Sequence, residues 1–441
     1  MKNLVLKIVS VALVLLVLVC SVSFLAKSSE QMKNEAALNE TDISLAMQTS
    51  IPRMLWTMEN HPDYLGFEEP EGITLGQKFC IARIKNGALV RDDSVAHYPV
   101  CSNGNIIAVI TLIKYQGEVI TSIGTEFAPQ LTSALDRMQN VVLLSTDGGI
   151  VAVGSNGELE ILSSLHTMTD TELLGSVSES IGTAFSRSEG CSLSKTELYE
   201  KTVPAEEILK LYSSDIEQIR KNYYTANASV PYDVLERGNL NFRSESTVRV
   251  LPNNTIYAYD PNATALGDYL DEYEIVGQDN YPICWAAVVA SMLRWEMPNI
   301  YFGYTAQDVC VTLNHSLTSA PCRNVEGYLS ALLSTHNSNY VPTYYSRAFT
   351  QSEICTIVNN EDPAYMSAKQ QNSSNRHATA LCGYLFYSDD TFSVRTMNPG
   401  VNSGAGGFSS TERSYTKDFV YYYGGALFIW DQGIRILYRH K

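Results

Sequence analysis

The chain has 441 residues, too many for one average domain, so two are expected, each with enough apolar material for its own core. Its composition is that of an ordinary globular protein, 45% hydrophobic and 18% charged, which excludes collagen-like and low-complexity classes. The net charge of −16 comes without any clustered Lys/Arg stretch, and that speaks against a nucleic-acid partner, whose phosphates require a basic patch.

Residues 1–26 read as a targeting segment. Lys2 and Lys7 precede a nearly unbroken apolar run from Ile8 to Leu25, the pattern of a signal peptide, and Ser21-Val-Ser23 offers small residues for cleavage. Residues 4–25 are also long enough to span a bilayer, so a membrane anchor is the competing reading. Either way the rest of the chain is expected to be secreted or held on the extracellular face. An exported chain with nine cysteines invites disulfides. Setting aside Cys20 and Cys284 leaves Cys80, Cys101, Cys191, Cys310, Cys322, Cys355 and Cys382, an odd set that cannot pair completely within one chain. Buried free thiols, or a pair or two such as Cys80–Cys101 and Cys310–Cys322, both remain open. No C-x-x-C and no Cys/His spacing of a zinc site occurs, and the Cys-His chemistry set out below needs no metal or organic cofactor, so none is expected.

Residues 27–229 form a first region. To about residue 164 it alternates β-rich runs (Phe79–Ile84, Ile106–Ile113, Gly117–Ile123, Gly149–Val153) with turn signals at Asn103-Gly104, Asp147-Gly-Gly149 and Asn156-Gly157. Phe127 to Asn140 predicts one helix crossing this sheet. From Asp170 to about Ser229 the pattern turns helical and charged. His97 and His166 have no nucleophile in this region and read as surface or core histidines. Residues 230–264 read as a linker: Val230-Pro231, Pro252-Asn-Asn and Pro261-Asn-Ala in a polar, turn-rich stretch of the kind where proteolysis concentrates.

Residues 265–441 carry the chemistry. Trp285 to Trp295 is apolar nearly all round, which predicts a buried central helix ending at Pro298. Further helices are expected near Thr305 and Val325, and β structure beyond Pro342, in Ala378–Tyr387, Thr391–Met397 and the tyrosine-dense Phe419–Leu437. Helices first and a sheet afterwards predict α+β. Cys284 opens the central helix, where orphan N–H groups favour a thiolate. Gln278 stands just upstream, where its amide can donate to an oxyanion together with the Cys284 N–H. A thiolate needs a base, and the base needs an orienting group. Of His315, His336, His377 and His440, only His377 opens a strand-like run, Arg376-His-Ala-Thr-Ala-Leu-Cys-Gly-Tyr384. Asn398-Pro399-Gly400 closes the next strand pattern, and two adjacent antiparallel strands would bring Asn398 to His377. His315, His336 and His440 read as incidental.

The order Gln278…Cys284-Trp-Ala, then His377-Ala with a following Gly383-Tyr384, then Asn398-Pro399 resembles the papain-like cysteine peptidase superfamily. The short span from Cys284 to His377 is most similar to its compact bacterial branch, the staphopains and related exported peptidases. The resemblance covers residues 265–441. It implies a central nucleophile helix packed on an antiparallel sheet or half-barrel, with Cys284 as nucleophile, His377 as general base and acid, Asn398 as orienting residue and Gln278 in the oxyanion hole. It further implies protein or peptide substrates and a zymogen in which the first region acts as an intramolecular pro-region. Pro-Gly follows Asn398 in place of the Ser-Trp of the larger enzymes, so no indole is supplied there to shield the His–Asn bond. Ala364–Ser367 and the segment before His377 are the expected specificity elements. A cell-wall peptide amidase or leader-processing Cys-His enzyme, and a non-catalytic surface binding protein on a peptidase scaffold, are the alternatives.

Overall fold

The computed structural model describes residues 37–67, 70–85, 88–165, 170–184, 192–200, 202–210, 266–336, 339–387, 391–401, 405–413 and 419–438. The expected targeting segment and linker, together with His166, Cys191 and His440, lie outside them.

Two short helices, α1 (Glu40–Gln48) and α2 (Ser50–Asn60), lead into three antiparallel strands, β1 (Val95–Ser102), β2 (Asn105–Tyr115) and β3 (Glu118–Gly124). The connecting turns, Asn103-Gly104 and Gln116-Gly117, hold all four residues at positive φ, between 48° and 83°. This is the two-residue hairpin geometry that matches strand twist, and Asn-Gly adopts it at low cost. Helix α3 (Ala128–Arg137) occupies the middle of the predicted 127–140 span, with Pro129 in its first turn and Leu131, Ala134 and Leu135 buried on one face. Strands β4 (Val141–Thr146), β5 (Gly149–Val153) and β6 (Leu159–Ser164) then build a six-stranded sheet with the short strands Ala82–Lys85, Ala88–Arg91 and Ser192–Leu193. Its Ala82–Lys85 strand runs parallel to β4, so this sheet is mixed. Helices α4 (Asp170–Ala184), α5 (Lys195–Glu200) and α6 (Ala205–Leu209) follow the expected helical stretch as far as it is described.

The second half opens with α7 (Cys284–Glu296), whose residues Trp285 to Leu293 are all buried. Then come α8 (Pro298–Tyr301), α9 (Ala306–Thr312) and α10 (Cys322–Ser334). Beyond Pro342 the chain is not purely β: α11 (Gln351–Asn359) interrupts it, started by a Thr350–Glu353 capping box. The strands are β7 (Tyr340–Tyr345), β8 (Ala364–Gln370), β9 (Arg376–Phe386), β10 (Phe392–Val401), β11 (Ala405–Arg413), β12 (Val420–Tyr423) and β13 (Ala426–Tyr438).

These strands do not form a sheet of their own. One 13-stranded sheet runs from Val203–Pro204 and Thr74–Leu75 through β1, β2, β3, β11, β10, β9, β8 and β13 to β7, while Leu266–Tyr269 pairs with β9 and β12 with β13. Its pairings are antiparallel throughout. The described fold is therefore α+β, about 33% helix and 38% strand, with a large antiparallel and a smaller mixed sheet. The two halves join at β3 and β11, where Gly124, Ile123 and Ser122 face Ser409, Ser410 and Thr411. Gly407 makes the next close approach possible: a Cβ there would lie 2.6 Å from Thr125 Oγ1 and 2.9 Å from Glu126 Cα.

Side chains seal the same seam. Arg53 of α2 donates from Nε and Nη2 to the two carboxylate oxygens of Glu412 at 2.8 and 3.0 Å, with both residues buried. Arg395 of β10 is fully buried, donates to the Leu270 carbonyl at 2.8 Å and to the Asp63 carbonyl at 3.4 Å, and lies 3.9 Å over the Phe408 ring. Among the described residues its Nε finds no hydrogen-bond partner, so the guanidinium is kept there by the two carbonyls and by the faces of Phe408, Tyr64 and Tyr269. The apolar cores cross the seam too, since Leu385 and Tyr387 pack with Tyr64, Val100 and Ile110. Cys101, Cys284, Cys310, Cys322 and Cys382 are free thiols, so neither candidate disulfide forms. Among the described residues no helix is long and apolar enough to cross a membrane.

Candidate active site

Cys284 is the first residue of α7, and no side chain caps that helix, since Ile283 sits at the N-cap. The first-turn N–H groups are thus left for whatever the sulfur carries. The helix start is fixed by its neighbour: Trp285 Nε1 donates to the Thr318 carbonyl at 2.9 Å, and its ring meets His315 edge-on at 5.0 Å. His315 is therefore a packing residue at this helix start. Burial pushes the Cys284 thiol up, against the backbone N–H groups of Ala378, Trp285 and Cys284, which pull it down. Ala378 follows His377 directly, so the sulfur lies beside the start of β9.

His377 is buried, and its Nε2 is 2.9 Å from Asn398 Oδ1. The sheet explains the meeting. β9 and β10 are antiparallel neighbours with Ala380 opposite Met397, which sets the start of one strand beside the end of the other. Asn398 Oδ1 also accepts from the Gly400 N–H at 3.0 Å, in a turn where Gly400 has φ +40°. The oxygen is held from two sides, and with it the ring plane and tautomer of the imidazole.

Tyr423 lies over that imidazole, stacked with ring centroids 4.2 Å apart and 17° between planes, and Phe428 closes the edge at 5.9 Å. Tyr423 is itself tied to the first half, its hydroxyl donating to the Ser164 carbonyl at 3.3 Å. The shield that the Pro-Gly after Asn398 cannot provide comes instead from the hairpin of β12 and β13. The signal in the sequence was the tyrosine-dense run Tyr421–Tyr423, which carried no stated role.

Gln278 is buried, its main-chain N–H donating to the Pro399 carbonyl at 3.3 Å, so its loop is clipped to the Asn398 turn. Its Nε2 donates to the Tyr281 carbonyl at 3.2 Å, which orients the amide and leaves a second N–H on that nitrogen, while Oε1 meets no partner among the described residues. Gln278, Cys284 and His377 line one cleft of about 620 Å³, with Trp285, Tyr365, Ser367 and Asn375 also on its walls. Tyr365 and Ser367 belong to the expected specificity elements. Arg376, beside His377, is held away from it by Ser367 Oγ at 2.9 Å and by Asp431. Leu165, from the end of β6, also lines the cleft, and sequence reasoning did not foresee it.

The remaining histidines stand apart. His97 is a core residue, its Nδ1 3.0 Å from Thr111 Oγ1 and its ring stacked on Phe79. His336 packs edge-on against Tyr301. Among the described residues no cluster of three or more His, Cys, Asp or Glu could hold a metal ion. No known protein-family profile matches this chain, and no curated protein does either.

Proposed function

We propose that this chain is a papain-like cysteine endopeptidase, exported and made as a zymogen, that hydrolyses peptide bonds through an acyl-enzyme. The observation that carries the reading is the oriented His377–Asn398 pair, 2.9 Å apart, in a cleft shared with a cysteine at a helix N-terminus. Burial raises the cost of a lone thiolate at Cys284. The thiol proton therefore passes to His377, and the two ions form together. The thiolate attacks the scissile carbonyl, and the oxyanion is held by the Cys284 N–H and the second N–H of Gln278. His377 gives its proton to the leaving amine. Water, deprotonated by the now neutral His377, then adds to the thioester and releases the acid and the thiol. Asn398 keeps one ring nitrogen bonded, so the other faces the sulfur throughout.

The zymogen part of the reading rests on the linker expected at residues 230–264 and on Leu165, which brings the first half to the cleft wall. The test is to express the full chain and its Cys284→Ala variant and follow casein hydrolysis and the fragment starting near residue 265. Wild type should hydrolyse casein and yield the fragment; the variant should do neither. Casein hydrolysis by the variant sinks the nucleophile assignment, and equal fragment in both rules out self-cleavage. Labelling of Cys284 by an epoxide inhibitor of papain-like enzymes separates an active site from a decayed peptidase scaffold.

A further inference from the structure

Thr125 and Glu126, at the end of β3, belong to the first half of the chain yet sit against the strand pair that carries Asn398. Thr125 donates its N–H to the Phe408 carbonyl at 3.1 Å and accepts the Phe408 N–H on Oγ1 at 3.1 Å. Asn398 pairs with Gly407, and Gly407 presses on the Glu126 backbone within 3 Å of where a Cβ would lie. The Glu126 carboxyl folds back over Gly124 and lines a small cavity with Ser122, Ser409, Thr411 and Tyr421 to Tyr423, where the Asn398 and Ser409 side chains favour its charged form. Asn398 Oδ1 is already committed to His377 and Gly400, so the group it offers Glu126 is its amide N–H₂.

Resting on the peptidase reading, we propose that Glu126 is a positioning residue for the His377–Asn398 pair, which makes the first half of the chain a lasting part of the catalytic centre. A carboxyl oxygen that accepts from the Asn398 amide helps to fix which end of that amide faces His377, beside the Gly400 N–H that holds Oδ1. Without it one hold on the amide is lost, and the imidazole more often meets N–H₂, a donor where an acceptor is needed. Tyr423, the other support of His377, borders the same cavity. Burial raises the Glu126 carboxyl to about 7. The titratable groups facing it are Tyr421, Tyr422 and Tyr423, with His377 behind Asn398 and the Cys284 thiol beyond; the strands around it add only Thr111, Ser122, Ser409 and Thr411. A cut in the linker would then leave two pieces sharing one sheet and one active site.

The measurement is the rate of Cys284 alkylation by iodoacetamide against pH in the full-length chain, read by mass spectrometry. It reports the Cys284–His377 ion pair without requiring turnover or processing. Wild type should react with a thiolate limb well below the ordinary thiol range. Glu126→Ala should slow the reaction near pH 6 about tenfold, and Glu126→Gln, which still offers an acceptor, should recover most of that loss. In the Asn398→Ala background Glu126→Ala should cost nothing further. Should Glu126→Ala not fold, Glu126→Asp keeps the carboxyl but withdraws it from Asn398, and should show the same loss. Alkylation of Glu126→Ala or Glu126→Asp at the wild-type rate across the pH range overturns the proposal. A wild type that alkylates only like a free thiol overturns the peptidase reading instead.

Discussion

Tyr423 does for His377 what the residue after Asn398 cannot, covering the His–Asn hydrogen bond with an aromatic face. An aromatic pair of this kind is worth about 0.5–1.5 kcal/mol beyond its buried area. Tyr423→Phe keeps the stack and loses only the bond to Ser164, so its kcat should stay within about twofold of wild type. Tyr423→Ala uncovers the pair and should lower kcat about tenfold at unchanged KM. On the peptidase reading Gln278→Ala removes an oxyanion donor; its kcat should fall by about 10²–10³ while KM barely moves, checked by steady-state kinetics on a peptide substrate. A rise in KM without loss of kcat would assign Gln278 to the turn at Pro399 alone. Cys284, His377, Asn398 and Gln278 were legible because each sits in local context that chemistry dictates: a helix start, a strand start, a strand end, an amide upstream. Glu126 and Tyr423 were not. Their roles come from pairings across the sheet that no local pattern encodes.

At the level of elements, the sequence predicted α7 from its all-round apolar run and the strands β9 and β10 from their apolar stretches. Helix α9 was legible too, through the Thr305–Asp308 capping box. Helix α11 carries the same signal in Thr350–Glu353 and was passed over because a β-rich stretch surrounds it. The contact of α2 with β11 makes a separate prediction. Arg53→Met leaves Glu412 charged and buried, and should cost about 3–5 kcal/mol of unfolding free energy. Arg53→Met/Glu412→Leu should restore most of it, measured by urea denaturation. If the double variant is as unstable as the single one, the pair is held for packing and not for charge balance. The β3–β11 ladder could not be foreseen at all, because a strand's partner is chosen by tertiary fit and not by its own pattern.

Across the whole molecule, acid is the expected weakness. Burial lowers His97 from 6.5 to about 3 and His61 from 6.5 to about 4. A histidine held neutral in the fold contributes stability that is present above pH 6.5 and lost as pH falls toward these values, where the unfolded chain takes up protons first. Each tenfold difference in proton affinity is worth about 1.4 kcal/mol. The melting temperature should therefore fall steadily below about pH 6.5, and His97→Gln, which cannot titrate, should flatten that fall. An identical pH dependence in His97→Gln would exclude His97 as a cause.

The joint between Thr125 and Phe408 spans 283 residues of chain. On a ribosome β3 is made early, and its neighbour β11 emerges among the last residues. For most of synthesis β3 is a bare edge, rich in β-branched residues and open to the wrong partner. Glu118, at its start, is the one charged residue on that strand. The closing of that seam also brings Thr125 and Glu126 to the strand carrying Asn398, so the candidate site is assembled only from pieces of both halves.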